Sequence, residues 1–411
     1  MRLALLVTMI VAILAGVAGT SAPRAQVTAD SAFVIHAATM LDGRGGSTRN
    51  AYVVVRGGRI ERVATSPVSV PDARVIELGS ATLLPGIIDA HVHPGWYVDR
   101  NGKRNSQDSG DSPVQAVLAR AGNLYATLMA GVTTIQSVGG GGLQDIDLRD
   151  AVARGWIPGP RILTSITQIG RAHMSMSADS LRISVRELKA HGADIIKLIA
   201  SSESALLSEA SFSDEQLSAI CGEAKAQGMR SLVHAISAQS VRAATLAGCT
   251  QIEHGRFATD AELRLMAERG TIFDPQVCLV FQNYIDNAGA YNFTDSSLAD
   301  YKARMAAASE AFGRAIRTPG LKIVFGTDAV ALAHGRNAEE LVCRVKSGQS
   351  PMEAIVSATS AGAAVLGLGD KIGTIAAGYD ADLIAVDGDP SRDIAAMRRV
   401  VFVMRSGRQY R

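Results

Sequence analysis

Between about residues 83 and 365 the chain alternates short apolar segments with amphipathic ones, and this alternation constrains the fold more than any other feature. The apolar segments end near His93, Ser137, Thr164, Ala200, His234, His254, Pro275 and Asp328. Helical stretches lie between them, for example 214–227 and 260–269. Eight strands alternating with helices predict an α/β chain with a parallel barrel. In such barrels the chemistry sits at the C-terminal ends of the strands.

The two ends read differently. Phe33-Val34-Ile35-His36-Ala37 is a strand, and Tyr52 to Val63 forms a hairpin around Arg56-Gly57-Gly58-Arg59. Two further strands lie in Gly378 to Val386, after a turn, and in Val400 to Arg408, ending in a turn. The expected organisation is therefore a sheet domain from 26–82 plus 366–411 around a barrel at 83–365. Residues 1–25 precede both. Met1-Arg2, the apolar run from Leu3 to Val17 and the small residues around Ala22 and Ala25 have the three-part pattern of a secretory signal peptide. A periplasmic or secreted location is expected. No other segment reads as transmembrane.

The chain has 411 residues, enough to bury a large core, and its net charge is +2. Without Arg2 and Arg24, Lys+Arg equals Asp+Glu at 39. A balanced surface gives no electrostatic case for nucleic acid or for an anionic membrane. The four cysteines, Cys221, Cys249, Cys278 and Cys343, lack C-x-x-C spacing. Cys249 and Cys278 lie in apolar surroundings, which favours buried free thiols over disulfides.

Polar residues with metal-binding chemistry recur at the strand ends. The first strand finishes in Asp89-Ala90-His91-Val92-His93, which places two imidazoles on one face. Later strands contribute Lys197, His234, His254 and Asp328. Four of the eight histidines in the chain fall at such ends. Each position alone has a bland reading as a packed His, a snorkelling Lys or a capping Asp; it is their joint placement that points to a site. Lys197 lies in an apolar strand, where an ammonium is costly to bury and would repel a cation. As a carbamate formed with carbon dioxide it becomes an anion with two oxygens, suited to bridging two ions.

With these residues in order, the chain resembles the amidohydrolase superfamily, in its imidazolonepropionase-like and Xaa-Pro dipeptidase-like branch. Leu84-Pro85-Gly86-Ile87-Ile88-Asp89-Ala90-His91-Val92-His93, Gly131-Val132-Thr133-Thr134, Gln251-Ile252-Glu253-His254-Gly255 and Gly326-Thr327-Asp328 carry the resemblance. It implies a distorted (β/α)8 barrel beside a small β-sandwich made from both chain ends. It also implies a more buried ion on His91, His93 and Asp328 and a more exposed one on His234 and His254. Carboxylated Lys197 and a hydroxide would bridge the two. Zinc suits such donors, although another divalent metal could replace it. A homo-oligomer is a further implication.

The activity implied is hydrolysis of an amide bond in a dipeptide, an N-acyl amino acid or an amide-linked toxin, with Asp328 as ligand and proton shuttle. A lactone or cyclic amide could use the same site. His173, Arg171 and His334 are the candidate substrate contacts, Arg171 as a clamp for a carboxylate. His36 and His191 read as structural, and Gly139 to Gly142 as a flexible loop that lacks the spacing of a phosphate cradle.

Overall fold

The computed structural model describes residues 32–106, 108–202 and 211–411. The proposed signal peptide lies outside the described residues. Among the described residues no helix is long and apolar enough to cross a membrane.

The chain opens with β1 (Ala32–Leu41), β2 (Ser47–Arg56), β3 (Arg59–Ala64), β4 (Arg74–Glu77) and β5 (Thr82–Pro85). The β2–β3 hairpin closes through Gly57 and Gly58, both at positive φ, which two-residue hairpin turns favour. The central part supplies β6 (Ile87–Val92), β7 (Val132–Ser137), β8 (Arg161–Thr164), β9 (Gln168–Ile169), β10 (Ile195–Ile199), β11 (Arg230–Ser237), β12 (Gln251–Phe257) and β13 (Ile272–Asp274). The chain closes with β14 (Leu383–Val386), β15 (Val400–Arg405) and β16 (Arg408–Gln409).

Both ends of the chain build one hydrogen-bonded sheet, in the order β16-β15-β14-β5-β1-β2-β3, with β4 on β1. Its apolar face buries Ile35, Val53, Leu83, Leu383, Phe402 and Met404 together. Strand β5 is the junction: it pairs with β14 from Thr82 to Pro85, and a single residue, Gly86, separates it from β6. A Cβ at Gly86 would collide with Thr133, so only glycine lets β6 lie against β7 there.

The central strands are parallel. They form a three-stranded sheet, β6-β7-β8, and a five-stranded one, β13-β12-β11-β10-β9. The expected eighth strand, ending at Asp328, is not a regular strand. Its backbone instead bonds to both sides: Phe273 N donates to Lys322 O (2.8 Å), Ala90 N to Phe325 O (2.9 Å) and Asp328 N to His91 O (2.7 Å). At its end Asp328 adopts a left-handed backbone, φ 53°. Helices separate most of the parallel strands, and most of them start where the sequence offers a side-chain cap. Thr259, for example, accepts from Ala261 N while Glu262 reaches back, opening the helix Asp260–Arg269.

The expectation of free thiols is overturned. Cys221 is bonded to Cys249 and Cys278 to Cys343, and no cysteine is free. One bridge ties the helix Asp214–Ala226 to the turn before β12 and the other ties the helix Ala338–Lys346 to the start of the helix Leu279–Asp286, across 28 and 65 positions, and an apolar context suits a buried cystine as well as a thiol. On the loop-closure model each bridge stabilises the fold by about 4 kcal/mol. Thermal unfolding with and without a strong reductant should therefore show a lower midpoint for the reduced chain. Equal midpoints would mean that the bridges add nothing.

Candidate metal centre

The C-terminal ends of the parallel strands surround a cavity of about 310 Å³. His91, His93, Lys197, His234, His254 and Asp328 all line it. The imidazoles pack against each other, with ring centroids 5.3 Å apart for His91 and His93, 5.2 Å for His91 and His254, and 4.4 Å for His234 and His254. The carboxylate oxygen Oδ1 of Asp328 stands 3.5 Å from His91 Nε2 and 3.3 Å from His93 Nε2.

The far side of each ring fixes its tautomer. His93 Nδ1 lies 2.9 Å from the Gly139 carbonyl, which can only accept, so Nδ1 carries the proton and Nε2 offers a lone pair. His91 Nδ1 contacts the Glu253 carboxylate, with the same consequence. Burial, then the charge of Lys197, lowers the pKa of His91. Burial, then the charges of His234 and His91, holds His254 well below the ordinary range. Neutral imidazoles with inward lone pairs, facing one carboxylate, are the donor set of a divalent metal. His91, His254 and Asp328 offer ligand atoms within 4.8 Å of one another. The residues present therefore fit a metal centre.

Two of the eight described non-glycine residues at positive φ belong to the site. His254 and Asp328 sit at φ 67° and 53°, a region that costs non-glycine residues roughly 1–3 kcal/mol. Surrounding contacts enforce it. Asp89 accepts from Thr327 N (3.1 Å), Thr327 Oγ1 (2.7 Å) and Asn337 Nδ2 (2.7 Å), tying the Asp328 turn to β6. Burial pushes Asp89 up to about 7, against these donors. Gly326 allows the turn to approach Asp274, since a Cβ there would lie 2.3 Å from a carboxylate oxygen. Gly326→Ala is expected to cost about 1–3 kcal/mol and to lower metal content. A variant with unchanged melting and full metal would refute this close-packing role.

The substrate contacts expected from sequence fall elsewhere. Arg171 and His173 occupy a single 3-10 turn, where Arg171 is exposed and His173 Nδ1 accepts from Gly170 N at 3.3 Å. Neither lines the cavity, and nor does His334. The turn lifts Arg171 outward. His334 instead packs behind the first ligand strand, where burial lowers its pKa to about 4. The cavity wall is made by residues the sequence did not single out, including Trp96, Gln168, Arg256, Phe281, Tyr284 and Tyr301. Trp96 stacks on His93 with centroids 4.6 Å apart. The glycine run serves close packing: a Cβ at Gly95 would strike Gly140, and Gly139 anchors His93.

A family model described as the amidohydrolase family matches residues 82–410. The chain belongs to the amidohydrolase family. Ochratoxinase from Aspergillus niger is 26% identical over 92% of the chain and 86% of its own length. A crystal structure of a Xaa-Pro dipeptidase with bound methionine in the active site superposes with a TM-score of 0.82 at 29% identity, covering 92% of this chain and 100% of that one. Imidazolonepropionase from Deinococcus radiodurans is 25% identical over 84% of the chain and 88% of its own length. This amidohydrolase therefore has the α/β fold of the TIM-barrel superfamily and is a hydrolase of carbon–nitrogen bonds. The family uses divalent metals, and the cluster around His91 could bind one.

Proposed function

We propose that this amidohydrolase is an exported binuclear metal enzyme that cleaves the amide bond of dipeptides or N-acyl amino acids, amide-linked toxins included. The observation that carries the reading is the meeting of His91, His93, Lys197, His234, His254 and Asp328 around one cavity. His91, His93 and Asp328 would hold the inner ion, His234 and His254 the outer one, and carboxylated Lys197 would bridge them, with zinc as the ion the donors suit. When bound, the ions ionise water near neutral pH and polarise the scissile carbonyl.

The chain's own residues do the rest. Asp328 Oδ1, held toward the two imidazoles, takes the proton from the attacking water and passes it to the leaving amine. Glu253 and the Gly139 carbonyl keep both imidazoles in the ligating tautomer. Trp96 and the aromatic wall exclude water around the reacting bond.

The similarity to a Xaa-Pro dipeptidase favours a peptide-like substrate. Export is supported by the leader pattern and by two disulfides, which persist in oxidising compartments. The division into leader, two-ended sheet domain and barrel belongs to the same reading. Support for barrel closure comes from the 322–329 backbone, which bonds to both β13 and β6. Support for a sandwich of both ends comes from the core shared by β1, β2, β14 and β15. A homo-oligomer is part of the proposal.

The test is metal analysis with a substrate panel of Xaa-amino-acid dipeptides, N-acyl amino acids and lactones. The expected result is about two metal equivalents per chain, loss of turnover on chelation and recovery with zinc. Turnover of lactones alone, or full activity without metal, would overturn the proposal.

A further inference from the structure

Gln168 stands on β9, in register with Lys197 of β10, and lines the same cavity as the metal-centre residues. One contact orients its amide. Nε2 donates to the Val138 carbonyl at 3.0 Å. A carbonyl can only accept, so Nε2 is the tethered end and Oε1 the other. Val138 is fully buried, which turns Nε2 into the wall and Oε1 away from it. Gly139 packs along the same side chain, since a Cβ there would lie 2.7 Å from Gln168 Cγ. Two successive carbonyls thus aim two cavity residues, Val138 for Gln168 and Gly139 for His93. Among the described residues no donor meets Oε1, which leaves a placed, neutral acceptor.

Strand order says which part of a substrate it meets. β9 is one margin of the five-stranded sheet, and the segment ending at Asp328 bonds beyond β13 at the other. Strands β10 to β13 separate the two on one side, and β6 to β8 on the other. In the proposed reaction Asp328 serves the leaving amine, so the group that reaches Gln168 belongs to the acyl half. Dipeptides and N-acyl amino acids differ in that half. A dipeptide carries an amino group on the carbon next to the scissile carbonyl, and a simple acyl group carries only hydrocarbon there. A fixed amide oxygen gains a hydrogen bond from the first and nothing from the second.

We propose that Gln168 is the specificity-determining residue for a free α-amino group on the acyl residue, accepted by Oε1. This rests on the proposed amide hydrolysis and narrows it to dipeptides in preference to N-acyl amino acids.

The test compares alanyl-leucine with N-propionyl-leucine, which differ only in the α-amino group, as substrates of the metal-loaded enzyme. Calorimetry of L-alanine and of propionate runs in parallel, so that binding is read without turnover. The wild type should favour the dipeptide in kcat/KM by roughly tenfold to a hundredfold, the worth of one hydrogen bond to a charged group. In Gln168→Met, which keeps the length and lacks the acceptor, that ratio should collapse towards one, and L-alanine binding should weaken by a similar factor. Gln168→Glu keeps an acceptor oxygen there and should hold the ratio at or above the wild-type value; it serves if the methionine variant does not fold. Equal use of both compounds by the wild type, an unchanged ratio in Gln168→Met, or a ratio near one in Gln168→Glu would overturn the assignment. A lower melting point with the ratio intact would likewise reduce Gln168 to packing. If neither compound is hydrolysed but L-alanine outbinds propionate only while Gln168 is present, the amino-group recognition stands and the proposed reaction fails.

Discussion

Lys197→Ala is expected to abolish turnover and to reduce the metal content from about two equivalents to one or none. Lys197 is fully buried on β10 between Ile196 and Leu198 and faces the cavity shared with four imidazoles. A bridging carbamate would supply charge neutralisation worth several kcal/mol in the transition state, roughly a thousandfold in rate. Lys197→Arg should fail equally, because a guanidinium forms no carbamate. Isotopically labelled bicarbonate added during metal loading should give a carbamate carbon signal in the wild type and none in either variant. Retention of both ions and full turnover by Lys197→Ala would end the bridging assignment.

The second large effect concerns stability. Arg344 is fully buried in the helix Ala338–Lys346, with Nη1 donating to Val324 O (2.8 Å) and Nη2 to Pro275 O (2.7 Å). It stands 3.7 Å from Asp274 and 3.6 Å from Glu340, and over the rings of Phe312 and Phe325. Arg344→Met keeps much of the volume but removes the cation that faces two buried carboxylates. The expected loss is about 3–5 kcal/mol, or roughly 10 °C in melting midpoint. Burial already raises the pKa of Glu340, and burial with the charge of Glu253 raises that of Asp274, while Arg344 opposes both shifts. A carboxyl whose folded pKa is raised contributes stability below its unfolded pKa and loses it as pH climbs through the folded value. Without Arg344 both pKa values rise further, so the deficit of the variant should grow as pH rises above the ordinary carboxylate range. A deficit independent of pH would show that lost packing dominates.

The residues that meet at the cavity were legible because strand ends announce themselves: an apolar run stopping at a His or an Asp is visible without coordinates. Their supports were not. Glu253 reads as part of a phrase around His254, and nothing in the spacing says that it reaches His91, 162 residues away. Arg344 follows Glu340 at the spacing of an exposed helical ion pair, yet both are buried. The disulfides escaped because each pairs a helix residue with a turn or helix-start residue 28 or 65 positions away, which spacing alone does not bring together. Arg171 was misplaced because one short turn decides whether a side chain faces in or out. The last expected strand is present only as isolated bridges at Ile323 and Ala329, and it ends at Asp328, whose left-handed backbone strand propensity opposes.

The pairing of β5 with β14 has a bearing on how the protein is made. Residues 82–85 find their partners at 383–386, so the root of the first histidine-bearing strand stays open until nearly the whole chain has been synthesised. Contacts this distant in sequence form slowly. Assembly of the ion-binding cluster thus becomes a late event in folding, and an incomplete chain would hold imidazoles with no fixed frame to aim them.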